Sequence, residues 1–428
     1  MKKYDNYKDS GIEWIGEIPE HWKCFRLKNL VKEPLKYGAN ESAEEDNPLN
    51  PRYIRITDFG NDGLLKDDTF KSLPIEIASN FLLEEGDLLF ARSGATVGKT
   101  FLFKNYDGIA CFAGYLIKAT FDKDKIDSTY INYFTRSNYY ENWKMSVFQQ
   151  ATIQNIGADK YNQLLVSIPD SIAEQTAIAN YLDHKTNQID TLISKKEQFI
   201  TLLQEERTAV INQAVTKGLD PKVKMKDSGI EWLGEIPEHW EVKKLAFEFN
   251  TLNTKRIPLS AEERGIMELR KYDYYGASGV IDKVENYIFD EDLILIGEDG
   301  ANLLTRSKRL AFIASGKFWV NNHAHIIKPI NGNINYFCEL LELIDYTIYI
   351  SGSAQPKLTQ EALMSIKIPV PPISEQNVIF DYLKDEFNKI DTLISKSQQE
   401  IELLKEYKTA LISEVVTGKV DVRDVVLN

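Results

Sequence analysis

The 428-residue sequence is poor in cysteine and histidine and has no long apolar run. Its three cysteines, Cys24, Cys111 and Cys338, are far apart and follow no pattern. They offer neither a disulfide framework nor a zinc spacing, which suits a reducing compartment. Of five histidines, only His323 and His325 lie close together. The pair could face one side of a strand, but no cysteine or carboxylate follows at useful ligand spacing, so a polar contact or a buried ring is expected instead. The longest apolar stretches, such as DLILIG, are strand-sized, well short of the roughly 18 residues of a membrane span. The opening MKKYDNYKDS leads into no apolar segment, so no signal peptide and a cytoplasmic location are expected.

Catalytic patterns are missing too. ARSGATVGKT at Ala91–Thr100 looks like a phosphate loop, but Ser93 stands where that loop needs its first glycine. The following FLFK also reads as a strand, not as the helix such a loop must open. Glu298-Asp299 lacks the following lysine of a nuclease, there is no Asn/Asp-Pro-Pro-aromatic element for amino methylation, and no nucleophile–base pair stands out. The chain reads as a binder. With 51 basic and 64 acidic residues it carries a net charge of −13, which argues against non-specific coating of nucleic acid but leaves room for a local basic groove.

What the sequence does have is self-similarity. KDSGIEWIGEIPEHW, Lys8–Trp22, recurs as KDSGIEWLGEIPEHW at Lys226–Trp240, with Ile15 against Leu233 the one difference. IDTLISK at Ile189–Lys195 recurs at Ile390–Lys396, Glu174-Gln175 at Glu375-Gln376, and Thr208-Ala209 at Thr409-Ala410. A repeat of about 200 residues is too long for a solenoid. It is a tandem copy of a whole domain-plus-helix unit.

Ile172–Lys217 contains no glycine or proline and reads as one helix, roughly 65–70 Å long at 1.5 Å per residue. Leu182, Ile189, Leu203 and Val210 share one heptad position, and Leu383, Ile390, Leu404 and Leu411 share its counterpart. Leu192, Phe199, Leu393 and Glu400 give a mostly apolar second position, and Lys196 and Ser397 interrupt the first seam with polar residues that fix register. Gly218 and Gly418 stop the helices, and Pro371-Pro372 makes a stiff lead into the second. The matching registers favour pairing of the two helices over packing on separate domains. Ahead of each helix, PRYIRITDF, DLLFARSG, KTFLFK, YLIKATF and LLVSIPD read as strands in the first copy, and GVIDKVENYIF, DLILIGEDG, LAFIAS, AHIIKPI and SIKIPVPP in the second, with short helices among them. The expected segments are a domain over 1–171, a helix over 172–217, a linker over 218–225, a domain over 226–371, a helix over 372–418 and a tail over 419–428.

Charge is patterned inside the acidic total. Leu88–Lys118 is net +3 and Asp299–Ile330 net +4. Amide and aromatic side chains interleave with these charges. Lysine and arginine hold phosphates, while arginine, asparagine, glutamine and histidine read base edges. The candidate DNA contacts are Arg92, Ser93, Thr96, Lys99, Tyr115, Gln150, Gln154 and Asn155 in the first copy. In the second they are Tyr274, Tyr275, Asn302, Arg306, Lys317, Trp319, Asn321, Asn322, His323 and Lys357.

GIEWIGEIPEHW ahead of each variable domain, EQ followed by a helix with IDTLISK, and GEDGANLL with FWVNNHAHIIKP resemble the specificity subunits of Type I restriction–modification enzymes, over essentially the whole chain. The resemblance implies an α+β fold: two mixed target-recognition domains separated by two long antiparallel coiled-coil helices that act as a ruler. It implies a non-catalytic chain reading a bipartite site on double-stranded DNA, docked to two methyltransferase and two restriction subunits. Those partners would hold S-adenosylmethionine, ATP and magnesium, so no cofactor and no membrane contact are expected of this chain. The other readings of the sequence are a structural scaffold with a coiled-coil spacer, or an ATP-binding enzyme using Ser93–Thr100.

Overall fold

In the computed structural model, residues 2–60, 65–94, 96–149, 155–350 and 356–427 are described. The chain divides into two compact units, Met1–Lys196 with Gln398–Asn428, and Glu197–Ser397. Each boundary falls inside a long helix, so each unit holds one domain, the half of the helix that follows it and half of the other helix.

In the first unit, a hairpin of β1 (Tyr7–Asp9) and β2 (Glu17–Pro19) precedes β3 (Lys23–Arg26). Then come β4 (Lys36–Tyr37), β5 (Arg52–Ile54), β6 (Leu88–Ala91), β7 (Thr100–Leu102), β8 (Ala110–Phe112), β9 (Leu116–Ala119) and β10 (Leu165–Ile168). The main sheet has the order β4-β9-β6-β7, all antiparallel. Its central strand β6, Leu-Leu-Phe-Ala, is buried on both faces, so it is continuously apolar rather than alternating. β5 and β8 pair in parallel, and β3 pairs with β10. Helices α1 (Ser128–Phe134), α2 (Ala158–Tyr161) and α3 (Ile172–Lys217) complete the domain's frame.

The second unit repeats this plan. β11 (Met225–Asp227) and β12 (Glu235–Pro237) form the hairpin, and β13 (Glu241–Lys244) pairs with a late strand as β3 does. β14 (Phe249–Thr251), β15 (Tyr272–Gly276), β16 (Gly279–Val284), β17 (Phe289–Asp290), β18 (Leu293–Gly297), β19 (Ala311–Ala314), β20 (Lys317–Val320), β21 (Ala324–Pro329) and β22 (Lys367–Val370) follow. The main sheet, β14-β21-β18-β19, has the order and sense of its counterpart. Here the smaller sheet has four strands, β16-β15-β20-β17, with β15 parallel to β20. Helices α4 (Ile334–Leu343), α5 (Gln360–Ser365) and α6 (Ile373–Val416) follow.

The recurring EQ is the fastener of each unit. Glu174 accepts hydrogen bonds from the Tyr4 hydroxyl at 2.9 Å and the Trp22 indole at 3.0 Å, with His21 at 2.9 Å. Glu375 accepts from the Trp240 indole at 3.1 Å, with His239 at 2.7 Å. Gln175 accepts from the Asp127 amide and donates to the Pro169 carbonyl, at 2.8 and 3.0 Å. Gln376 accepts from the Asn333 amide and donates to the Pro371 carbonyl, each at 2.9 Å. Asp127 and Asn333 are themselves the N-caps of α1 and α4. The shared sequence thus ties leader, cap and long helix together, while the variable strands hang from that frame.

Within each unit the helix halves pair antiparallel. In the first, Lys408 binds Asp190 at 2.6 Å; in the second, Arg207 binds Asp391 at 2.6 Å and lies 4.0 Å over the Phe387 ring. Both aspartates belong to IDTLISK, and both bases precede the recurring Thr-Ala. Leu182, Ile189, Leu203, Leu383, Ile390 and Leu411 are buried, and Val210 and Leu404 partly so. Leu192, Phe199 and Leu393 differ from the expected second apolar seam: each is over 40% exposed, at 43%, 43% and 42%. The second seam instead runs one residue further on, where Ile193, Ile200 and Ile394 are half-buried and Ile401 is buried, and Lys196 binds Glu400 across the pair. α3 stops at Gly218, whose φ of +75° suits glycine, and Gly418 at +71° follows α6. Among the described residues no helix is long and apolar enough to cross a membrane.

Glu375→Ala removes the acceptor of a buried indole. It should destabilise the chain by about 1–3 kcal/mol, the cost of an unsatisfied buried donor, read as a lower midpoint in urea unfolding. Glu375→Gln keeps an acceptor and should recover most of that loss.

Candidate nucleic-acid interface

The two units build one backbone site at the end of the central sheet strand. In the first, the Arg92 amide donates to the Tyr115 carbonyl at 3.0 Å, the Arg92 carbonyl accepts from the Ile156 amide at 2.8 Å, and Ser93 bridges Asn155. In the second, the Glu298 amide donates to the His323 carbonyl at 2.9 Å, the Glu298 carbonyl accepts from the Leu358 amide at 2.8 Å, and Asp299 bridges Lys357. Arg92 therefore corresponds to Glu298, Ser93 to Asp299, Tyr115 to His323 and Asn155 to Lys357. Four backbone groups set the same geometry for two different sets of side chains.

The side chains of the first site are donors and aromatics. The Arg92 guanidinium lies 4.8 Å over the Tyr37 ring, a cation–π contact. Its Nε is buried with no partner among the described residues. The Tyr37 hydroxyl accepts from the Ala158 amide at 3.0 Å. Tyr115 is 64% exposed, and Lys99 and Asn155 are also exposed. Ser93 and Thr96 are half-buried in the hairpin loop joining β6 to β7. That loop leads into a strand, so it lacks the helix N-terminus of a phosphate loop. Gln150 and Gln154 lie outside the described residues.

The second site replaces this by a charge network around a buried acid. Glu298 pairs with Arg256, with Lys357 at 3.1 Å, and is only 7% exposed. Burial pushes its carboxyl up, but the Arg256 guanidinium and the Lys357 ammonium outweigh that and hold it below the usual carboxylate range. His325 is buried beside it. Its Nε2 donates to the Leu358 carbonyl at 2.7 Å, so Nδ1 accepts from Asn253 at 2.9 Å. Asn253 also donates to Gln360 at 2.7 Å and accepts from the Ile326 amide at 2.8 Å. With both ring nitrogens satisfied in the neutral form and burial lowering its pKa, His325 is a framework residue. His323, two residues away, is exposed and holds Asp299 at 2.8 Å. Buried Asn321 orients it by accepting from the His323 amide at 2.8 Å, and Asn322 is exposed beside it. An open cavity of about 530 Å³ adjoins them, walled also by Arg264 and Tyr274.

Other expected contacts are tied up in the framework. Tyr274 is 1% exposed, with its hydroxyl accepting from the Leu259 amide at 2.9 Å. Tyr275 stacks on Phe312. Lys317 sits 4.7 Å over Tyr287, the Trp319 indole donates to the Ile257 carbonyl at 2.7 Å, and Arg306 donates to the Ile344 carbonyl at 2.7 Å. Asn302 accepts from the Lys308 amide at 2.9 Å within its own loop. Sequence reasoning missed Tyr37, Asn253, Arg256, Glu298 and Asp299 as parts of the site, whereas His325 is the buried ring that it expected. Aligning A-R-S-G-A at Ala91 with G-E-D-G-A at Gly297 would have found the two acids.

The network makes the second unit acid-sensitive. Because the folded Glu298 carboxyl lies below its unfolded value of about 4.3, its contribution is fully present above that pH and is lost as pH falls through the folded value. Glu298→Gln should flatten the acid limb of stability against pH, measured by urea unfolding between about pH 3 and 7.

Comparison with known proteins agrees with this architecture. The family model described as the Type I restriction modification DNA specificity domain matches residues 19–202 and again 237–403. The putative Type I restriction enzyme MjaX specificity subunit of Methanocaldococcus jannaschii is 27% identical over 98% of both chains. The EcoKI specificity subunit of Escherichia coli K12 is 34% identical over 54% of this chain and 49% of its own. The crystal structure of the HsdS subunit from Thermoanaerobacter tengcongensis has the same fold, with a TM-score of 0.55, 14% identity and coverage of 94% and 98%. A second solved chain, from work on complex assembly and conformational transition of the type I R-M system, gives a TM-score of 0.68 at 13% identity, covering 94% and 99%. Two specificity domains in tandem, each carrying the strand-end site, place this chain in the family of Type I restriction–modification specificity subunits, non-catalytic proteins that recognise DNA sequence.

Proposed function

We propose that each unit reads one half of a bipartite site on double-stranded DNA through its strand-end cluster. The contacts are Arg92, Ser93, Thr96, Lys99, Tyr115 and Asn155 in the first unit, and Asp299, Asn322, His323 and Lys357 in the second. The observation that carries this is the duplicated backbone site with exchanged side chains. A frame kept constant while its polar groups change is what two readers of different sequences require. The chain works in the cytoplasm, docked to two methyltransferase and two restriction subunits. S-adenosylmethionine, ATP and magnesium belong to those partners, consistent with a chain whose own polar clusters are built for binding.

The test is modification mapping of host DNA after co-expression with the methyltransferase subunit of the same system. Exchanging residues 41–165 for those of another family member should change one half of the methylated motif and leave the other intact; a change in both halves would refute independent reading. Arg92→Ala should weaken binding to the motif by about 1–3 kcal/mol if it contacts a base, measured by titration of the assembled complex with duplex DNA. Lys99→Ala should weaken binding evenly across sequences and reduce its salt dependence, as loss of a phosphate contact does.

A further inference from the structure

The two corresponding sites are opposite in hydrogen-bonding character. Arg92 is a donor only, with its guanidinium held over Tyr37. At the second site the cations are engaged by a buried acid. Arg256 donates to Glu298 and to the Ala324 carbonyl at 2.9 Å, and Lys357 binds Glu298 at 3.1 Å. Asp299 is not engaged by that acid; its side chain is 33% exposed, beside His323 at 51%. The His323 Nδ1 lies 2.8 and 3.0 Å from the two Asp299 oxygens, so Nδ1 carries the hydrogen. In the neutral ring Nε2 is then an acceptor. Carboxylate and ring together present acceptors.

We infer that the second unit reads a cytosine through Asp299, whereas the first reads a guanine through Arg92. In the major groove, guanine shows two acceptors, O6 and N7, which match the arginine fork. Cytosine shows a single N4 amino donor, which matches a carboxylate. Adenine also has an amino group, N6, but its N7 acceptor sits next to it and repels a carboxylate. His323 fixes the Asp299 carboxylate by donating to it, as a reading group must be fixed. The side-chain polarity, not the fold, makes the half-sites differ. The inference rests on the strand-end clusters being the base-contacting surfaces.

The experiment maps methylation made by the full chain with its methyltransferase partner, for the parent and for Arg92→Gln, Asp299→Ala and Asp299→Asn. Asp299→Ala should relax one C·G pair by roughly 5- to 150-fold, the worth of one good base contact, in the half of the motif that Arg92→Gln leaves unchanged. Asp299→Asn should turn preference at that pair toward A·T, because an amide matches adenine N6 and N7. If Asp299→Ala abolishes methylation, titration of that complex with duplexes carrying each of the four base pairs at the position decides. A flat profile supports the inference, and a retained preference for C·G overturns it. Full parental stringency in both Asp299 variants, or relaxation at an A·T pair, also overturns it. Absence of any sequence-dependent methylation by the parent chain would instead sink the reading of these clusters as DNA contacts.

Discussion

A helix of 46 residues with an apolar stripe cannot stay exposed along its length, and the domain beside it is long enough to cover only part of that stripe. Most of a helix's stability in water comes from packing such a face. In the first unit, Leu411, Ile412, Val415 and Val416 of α6 fill the same core as Trp22, Ile178 and Leu182. In the second, Ile211, Ala214 and Val215 of α3 do so with Trp240, Ile379 and Leu383. Each core is therefore completed by chain from the other repeat. The tail after α6 follows from the same requirement: the Asp421 amide donates to the Lys2 carbonyl at 2.9 Å, and the Tyr7 hydroxyl donates to the Gly418 carbonyl at 3.1 Å.

On that frame, the sequence shared between repeats and the sequence that varies do different physical tasks. HW, EQ, IDTLISK and the base before the Thr-Ala pair each make a contact found in both units, so their side chains are fixed by a partner. At the strand ends the two units share only backbone bonds, and the side-chain contacts differ. Amide and carbonyl groups do not depend on residue type, and a site held by them tolerates exchange of arginine for glutamate. Loops on a rigid scaffold are where binding chemistry concentrates for this reason.

The frame was legible because its signals are long-range repeats and periodicity. The duplicated leader, the 46 residues free of glycine and proline, and the matched heptad rows each survive without knowledge of tertiary contacts. The strand runs DLLFARSG and DLILIGEDG were legible as well, being apolar on both faces. The site was legible in part. Arg92, Tyr115 and His323 stood out as polar residues in basic stretches, but so did Arg306 and Lys317, whose charges are used to tie loops down. Charge counting weighs a cation that caps a carbonyl equally with one that faces outward. Tyr37 and Arg256 lie far from the loops they join and belong to no motif, so only the folded sheet brings them there. The second helical row misled because Leu192-Ile193 and Leu393-Ile394 are adjacent apolar pairs at heptad spacing, and it is the isoleucine of each that is half-buried.

The buried acid shows how far a reader's polarity can change by itself. Glu298 occupies the place of Arg92, but it is ionised under cover and depends on Arg256 and Lys357 for compensation. An arginine placed there alone would face two like charges at close range, which is costly where water is scarce. Returning the site to a donor would also require removing Arg256 and replacing Lys357 by a neutral residue, as Asn155 is in the first unit. The tyrosine shelf under Arg92 would be needed too, and at the second site Asn253 is already committed to His325 and Gln360. The polarity of this site is therefore set by coupled residues drawn from separate strands and loops. A whole domain carries such a set intact, whereas a single substitution carries only one member of it.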